Sequence, residues 1–189
     1  MVSIFTRILI GLGFFGLLTL EAILLQPKPQ KGFIINLKGD TVSCMLKNIG
    51  SSEVKFKKST DSIYHLLSIM EAKEYNIPKK HLVYRALIVP KGITPLFLPR
   101  LDSGEINLYA FYERIGKSTH THLYAVKAAQ QIRKIYGYNP DDDNKQQLLQ
   151  LIGDNPQAVS YLNTDRSYSE KTVTNAVKIY NGEDVKLKK

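Results

Sequence analysis

Apolar and polar residues alternate from residue 33 onward, and this pattern predicts β-strands in the first half of the chain. The first strand carries apolar residues on one face from Phe33 to Leu37, and the alternation resumes over residues 42–46. Between these segments, Gly39-Asp40 is a residue pair that favours the positive φ angles of a two-residue turn. The sequence therefore predicts a β-hairpin here, the clearest in the chain.

Four later segments also predict strands, either by alternation or by their β-branched and aromatic residues. Pro99 lies within one of them and indicates a sheet edge or a bulge, because proline has no backbone N–H to donate. Residues 62–77 fit a helical pattern and a strand pattern, and we leave them unassigned. The sequence thus predicts about six or seven strands. The four segments are residues 54–57, 82–89, 96–101 and 106–112, and the last two are expected to form a second hairpin.

After Gly116 the apolar residues recur every three or four positions, which is the spacing of a helix. Two capping-box spacings, in which Asp or Ser precedes Gln or Glu by three residues, predict helix starts. An Asn-Pro pair combines a cap with the proline that is favoured in a first helical turn. The pattern predicts three or four helices that begin near Ala128, Asp143, Asn155 and Ser167.

The order of strands first and helices afterwards predicts an α+β fold and not alternating β-α-β units. We expect an antiparallel β-rich part over residues 31–116 and a helical C-terminal part over residues 117–184. A linker with two prolines over residues 27–30 precedes them, because proline cannot continue a helix. A short basic tail follows over residues 185–189.

An apolar run of 13 residues, Ile8–Leu20, follows Arg7 and has the length of a signal-peptide core. Glu21 interrupts the run, and the residues after it form a poor cleavage site. We expect residues 1–26 to be a signal peptide, with an uncleaved membrane anchor over residues 8–25 as the alternative. Both interpretations place the folded part outside the cytoplasm, in the periplasm or at the cell surface. A core helix of a cytosolic protein is the third interpretation.

Composition excludes several classes of protein. The chain has 189 residues, of which 43% are hydrophobic and 23% charged, and this suits one globular domain better than a collagen-like or wholly disordered chain. Cys44 is the only cysteine, so no intramolecular disulfide can form. Its apolar neighbours indicate a small buried hydrophobe rather than a reactive thiol.

The net charge of +9 bears on partners, because a basic surface attracts anions. Lysines cluster locally at residues 55–58 and at Lys79-Lys80. The tyrosines do not form an RNA-binding signature with them, so nucleic acid is not an expected partner. Lysines that protect a solvated sheet edge are the simplest explanation. Contact with an anionic lipid or a cell-surface polymer is the functional alternative.

Two groups of residues have a metal-like pattern. His120 and His122 are two residues apart and would share one face of a strand, but a third ligand is missing. We interpret them as surface histidines in a loop between sheet and helices. Residues 141–144, with the sequence DDDN, resemble the start of a calcium loop but lack its glycine and its final acid. We interpret these acids as the start of a helix, where carboxylates oppose the positive end of the helix dipole.

The sequence contains no nucleophile elbow, no phosphate-binding glycine loop and no zinc-protease motif. We therefore predict no catalytic residues, no cofactor and no metal. The expected role is that of a non-enzymatic binding or structural module, whose partner is an envelope protein, a lipid or a surface polymer. An envelope enzyme, hydrolase-like or lipid-handling, is the alternative, because active sites can assemble from residues that are distant in sequence.

Two passages resemble those of small exported proteins of Bacteroidota-type bacteria with no established function. One is residues 32–41, with the pattern GxIxxLxGDT, and the other runs from Leu148 through residues 153–156 to residues 177–181. The resemblance implies export and a β-rich fold with a helical C-terminal end. It implies no catalytic residues.

Overall fold

A computed structural model describes residues 28–50, 53–90, 92–128, 130–138, 140, 142–164 and 167–185. The predicted signal peptide or anchor lies outside these ranges, and so do residues 186–189 of the basic tail. Within them the chain forms ten β-strands and three α-helices, which confirms the predicted α+β class. Among these described helices, none is both long enough and apolar enough to cross a membrane.

The elements follow one another along the chain in the order strands and then helices. The strands are β1 (Gln30–Asn36), β2 (Thr41–Lys47), β3 (Lys55–Lys57), β4 (His65–Leu66), β5 (Ala72–Ile77), β6 (Leu82–Leu87), β7 (Leu96–Asp102), β8 (Ile106–Ile115), β9 (Ser118–Lys127) and β10 (Arg133–Tyr136). The helices are α1 (Asp142–Ile152), α2 (Pro156–Thr164) and α3 (Glu170–Tyr180). A 3₁₀ turn, Pro78–Lys80, connects β5 to β6.

All ten described strands form one antiparallel sheet in the order β10-β9-β8-β7-β6-β5-β1-β2-β3-β4. The two predicted hairpins are confirmed as β1–β2 and β7–β8. The predicted count of six or seven strands is wrong. The unassigned residues 62–77 contain β4 and β5, and two more strands, β9 and β10, follow Gly116.

Two turn predictions need correction. The first hairpin turns over residues 37–40, not over two residues, because Asn36 holds the longer loop: its Oδ1 accepts from the Asp40 N–H at 2.8 Å. Gly39 takes a φ of +97° there, as predicted, but Asp40 does not have the positive φ predicted for the pair. Pro99 lies in β7, an internal strand, so the predicted sheet edge is wrong. The register between β7 and β8 shifts shortly after it, as expected for a bulge.

The helix predicted to begin at Ala128 is wrong, because residues 133–136 form β10 and pair with β9. The helical part therefore begins at α1 and not at residue 117. Ile132 and Ile135 belong to different hydrophobic clusters. Residues three apart share a face of a helix but point to opposite faces of an extended chain. Because Ile132 and Ile135 pack on opposite sides of the sheet, this segment is extended and not helical.

The other three predicted helices are confirmed, with two changes of cap. Helix α1 begins at Asp142, so the predicted cap Asp143 lies inside its first turn. Asn155 precedes α2, and its Oδ1 accepts two first-turn N–H groups at 3.0 and 3.1 Å, as predicted. The cap of α3 is Ser169, whose Oγ accepts from the Thr172 N–H at 3.2 Å. The predicted cap, Ser167, lies two residues earlier. Between the two serines, the Tyr168 hydroxyl donates to a β10 carbonyl at 2.6 Å and ties this segment to the sheet.

Two large hydrophobic cores and one small cluster stabilise the sheet, each by removing apolar surface from water. The small cluster has Leu98, Tyr109 and Tyr124 as its buried residues, and Ile132 packs against it. The larger core lies between the helices and the strands β8, β9 and β10. Its buried residues are Ile106, Leu108, Ala110, Leu123, Ala125, Ile135, Leu148, Leu151, Ile152, Ala158, Leu162, Val173, Ala176 and Val177. The second core lies on the N-terminal strands and the loops beside them. Its buried residues are Ile34, Cys44, Leu46, Val54, Leu67, Ala72, Tyr75, Ile77 and Phe97.

The end of α3 is attached to the start of β8 by one side chain. Asn181 Nδ2 donates to the Ile106 carbonyl and to Asp102 Oδ2, both at 2.8 Å, and Asn181 Oδ1 accepts from the Ile106 N–H at 3.0 Å. Gly104 allows this approach, because a Cβ there would lie 2.5 Å from Asn181 Cγ. The side chain of Asn181 thus pairs the backbone N–H and carbonyl of the buried Ile106, as a neighbouring strand would.

The first strand approaches β5 very closely at Gly32. A Cβ at this position would lie 2.3 Å from the Asn76 carbonyl oxygen and 2.6 Å from Leu46 Cδ1. The first atom belongs to the backbone of β5 and the second to the core. A side chain at this position would therefore push β1 away from both neighbours.

We expect Gly32→Ala to lower the free energy of unfolding by about 1–3 kcal/mol, because the paired β5 backbone cannot move aside without loss of sheet hydrogen bonds. Urea denaturation measures the change. Gly50→Ala is the matched control, since a Cβ at Gly50 would meet open space. Equal unfolding midpoints for the two variants would contradict the expectation.

We expect Asn181→Ala to lower the free energy of unfolding by about 2–4 kcal/mol, because it leaves the N–H and carbonyl of the buried Ile106 unpaired. Thermal melting followed by circular dichroism measures the loss. Asn163→Ala, at an exposed position of α2, is the control and should melt close to the wild type. A wild-type melting temperature for Asn181→Ala would rule out this role.

Candidate functional site

A groove of about 1110 Å³ lies where β1, β2 and β3 come near the 3₁₀ turn. Five of its lining residues are lysines and one is acidic. The lining residues are Lys28, Pro29, Gln30, Lys31, Gly32, Phe33, Ser43, Cys44, Met45, Lys57, Lys58, Ser59, Asp61, Pro78 and Lys79. Because of its five cations, this lysine groove is our candidate functional site.

Strand register forms the floor of the lysine groove. Lys31 of β1 pairs with Met45 of β2, and Met45 pairs with Lys57 of β3. Directly paired residues project from the same face, so one apolar side chain lies between two cations. Neighbouring strands are about 4.8 Å apart, which places the two lysine backbones about 10 Å from one another. Phe33 and Ser43 form the next row.

Two turns supply the walls of the groove. Lys58 and Asp61 lie in the turn after β3, where the Lys58 N–H donates to Asp61 Oδ2 at 3.0 Å. Lys57 Nζ donates to the Ser62 carbonyl at 3.0 Å, which holds its amine near this turn. The 3₁₀ turn presents Lys79 from the end of β5. Together with Lys28 and Lys31, lysines from three separate stretches of the chain thus line one surface.

The groups in the groove favour binding of an anion over covalent chemistry. Asp61 is already occupied: it accepts from the Lys58 N–H and lies 3.6 Å from His65 Nε2. Cys44 lies between Ser43 and Met45 on β2, so its side chain points to the other face, into the second core. It is 8% exposed there, and burial raises the pKa of its thiol to about 11. The thiol therefore stays protonated at neutral pH and is a poor nucleophile.

The sequence singled out part of this groove and missed the rest. Lys57, Lys58 and Lys79 belong to the two predicted lysine clusters, which the fold brings together. Lys28 and Lys31 join them from the linker and β1 and gave no signal as single lysines. Only the strand pairing places Lys31 in the groove, because its position depends on the register of β1 with β2.

The two histidines lie in β9, so the predicted loop is wrong. Strands β8 and β9 pair over ten successive residues, which extends the hairpin through both histidines. His122 is buried, and its Nε2 is 2.9 Å from Glu113 Oε2, while its Nδ1 has no hydrogen-bond partner among the described residues. His120 packs its ring edge-on against Tyr138 at 4.2 Å between ring centroids.

Residues 142–144 of the acidic segment DDDN begin a helix, as predicted. Asp142 and Asp143 lie in the first turn of α1, and Asn144 donates from Nδ2 to the Lys134 carbonyl at 3.2 Å. Asp141 lies outside the described residues. Across the described ranges, no three His, Cys, Asp or Glu side chains are grouped as they would be around a metal ion.

Comparisons of the chain with protein-family models, with curated proteins and with solved structures found no match. Function therefore has to be argued from the geometry and charge of the site itself.

We expect Cys44 in the folded protein to react with iodoacetamide about a hundredfold more slowly at pH 8 than in the urea-unfolded protein, because its pKa is about 11 and not about 9. Mass spectrometry of timed samples measures the reaction. The same pKa shift should lower the free energy of unfolding as the pH rises from about 9 to about 11, since the unfolded thiol ionises first. Equal rates in both states would show that the thiol is accessible and ionised.

Proposed function

We propose that this protein is an exported protein of the cell envelope and that it acts as a non-enzymatic binding module. The proposed binding surface is the lysine groove, and the proposed ligand is anionic. The observation that carries the proposal is that five lysines, from three separate stretches of the chain, line one groove with a single acidic residue.

Charge in the groove supports binding rather than turnover. Five ammonium groups attract an anion over the Debye length, about 8 Å at physiological ionic strength. Each is a flexible donor without a fixed fork, so the groove suits phosphate or carboxylate groups in several orientations. The neighbouring Cys44 thiol stays protonated, so it is a poor nucleophile. The Asp61 carboxylate already accepts a hydrogen bond, so it is not a free base.

Export is supported by the sequence before the groove. The apolar run Ile8–Leu20 with Arg7 in front of it has the pattern of a signal peptide or an anchor. The resemblance of residues 32–41 to exported proteins points in the same direction. A basic, disulfide-free module beyond the cytoplasmic membrane would meet anionic lipids and anionic polymers, which are the partners that its charge favours.

One observation favours an envelope enzyme as the second candidate. The buried imidazole of His122 is oriented by Glu113 and keeps Nδ1 without a partner in the described chain, as the base of a hydrolase would. Lys134 Nζ and His122 Nδ1 lie 2.8 and 3.2 Å from the point that a Cβ of Gly137 would occupy. Turnover of an ester substrate that disappears in His122→Gln and survives in His120→Gln would favour this candidate.

Subcellular fractionation of the natural host, followed by mass spectrometry of the N-terminus, tests the export proposal. We expect the protein in the envelope fraction, either shortened near residue 26 or intact from Met1 and embedded in membrane. The first result identifies a cleaved signal peptide and the second an anchor. A full-length chain in the cytoplasmic fraction would refute the proposal.

A further inference from the structure

The lysine groove begins close in sequence to the apolar leader. Leu25 is the last residue of the apolar segment, and Lys28, the first residue that lines the groove, follows it by three positions. An extended chain spans at most about 3.3–3.6 Å per residue, so this distance is about 11 Å at most. Whenever the leader lies in a bilayer, the rim of the groove is therefore held at the level of the lipid headgroups.

The composition of the groove fits a lipid headgroup better than a purely polar anion. Met45 lies between Lys31 and Lys57 on the floor, and Phe33 occupies the neighbouring row. Both apolar side chains are half-buried and line the groove beside the amines. A phospholipid offers a phosphate to the amines and a glycerol and acyl region to the apolar floor.

At the helical end of the sheet, Lys127 is paired with acidic side chains of the protein itself. Lys127 Nζ donates to Asp154 Oδ2 at 2.8 Å, lies 3.6 Å from Glu105 and sits over the Tyr180 ring at 4.7 Å from its centroid. That cation is neutralised by the protein. The five groove lysines have one acid among the lining residues. The groove is therefore the end that an anionic surface would attract.

We propose that the lysine groove binds the headgroups of anionic phospholipids in the membrane that the leader enters. This inference rests on the proposed export to the envelope with the leader retained as an anchor, and it names the ligand class of the same groove. The leader supplies the hydrophobic attachment, and the groove supplies a second, electrostatic attachment that depends on lipid charge. Juxtamembrane lysines contribute such an attachment additively, each of them a small part.

Binding of the full-length chain to two kinds of vesicle tests the inference. One kind contains phosphatidylcholine alone, and the other contains phosphatidylglycerol as well. The neutral vesicles measure the contribution of the leader, and the difference between the two measures the contribution of lipid charge. We expect tighter binding to the anionic vesicles and a loss of this difference as salt is raised, because salt screens exposed charges.

The groove variant is Lys31→Gln/Lys58→Gln/Lys79→Gln, which changes three exposed lysines of the lining. We expect its preference for anionic vesicles to fall about a hundredfold. The control is Lys117→Gln/Lys145→Gln/Lys171→Gln, which removes the same charge from the β8–β9 turn, α1 and α3. It should keep most of the wild-type preference. Thermal melting of both variants verifies that each is folded.

Three results would overturn the inference. They are equal binding of the wild type to both vesicle types, equal losses in the two triple variants, and an unchanged preference in a folded groove variant. Protection of the groove lysines from acetylation by a soluble acidic polysaccharide, but not by anionic vesicles, would assign the groove to a surface polymer instead. If fractionation finds the protein in the envelope while the vesicle test fails, the lipid inference alone is wrong. If fractionation finds it in the cytoplasm, the proposed function fails as well.

Discussion

The close approach of β1 to β5 at Gly32 is the contact on which the sheet and the groove both depend. It lets the first strand enter between β2 and β5 and join the first hairpin to the strands that follow. Because β1 is internal, its two faces have different roles. Ile34 points into the N-terminal core, while Lys31 and Phe33 lie on the face that forms the groove floor. The same backbone contact therefore stabilises the fold and sets the row of side chains that gives the groove its charge.

The two ends of the sheet differ in how their charges are paired. At the helical end, Lys127 contacts Asp154, Glu105 and Tyr180, and the hydrogen bond that Lys127 donates to Asp154 is the main reason that the pKa of the lysine is raised above the usual value. That lysine joins β9 to the α1–α2 connection and to α3. At the groove end, cations gather with a single acid. Charge contributes to internal attachment at the helical end, whereas none of the five groove lysines forms an ion pair with a described residue.

Local patterns predicted the elements well where a turn or a cap supplied an independent signal. The Gly39 turn, the Asn155 cap and the stripe of α3 all have causes within a few residues of one another. The predictions were wrong where the type of element depends on burial of side chains on both faces of the sheet. The segment from Ile132 to Tyr136 has helical spacing, yet it becomes β10 because it lies between two clusters. The prediction of a loop at the histidines of β9 is wrong for a related reason, since the pairing that extends β8 and β9 is not visible in either segment alone.

The sequence by itself determined the class of fold, the order of strands before helices, the burial of Cys44 and the excess of lysine. These follow from residue periodicity, local capping and composition, which act over short stretches of chain. Only the tertiary structure decided the strand order, the internal position of β1 and the meeting of Lys28, Lys31, Lys57, Lys58 and Lys79. Those features depend on which strands pair and in which register, and pairing is set by burial of side chains that are far apart in sequence.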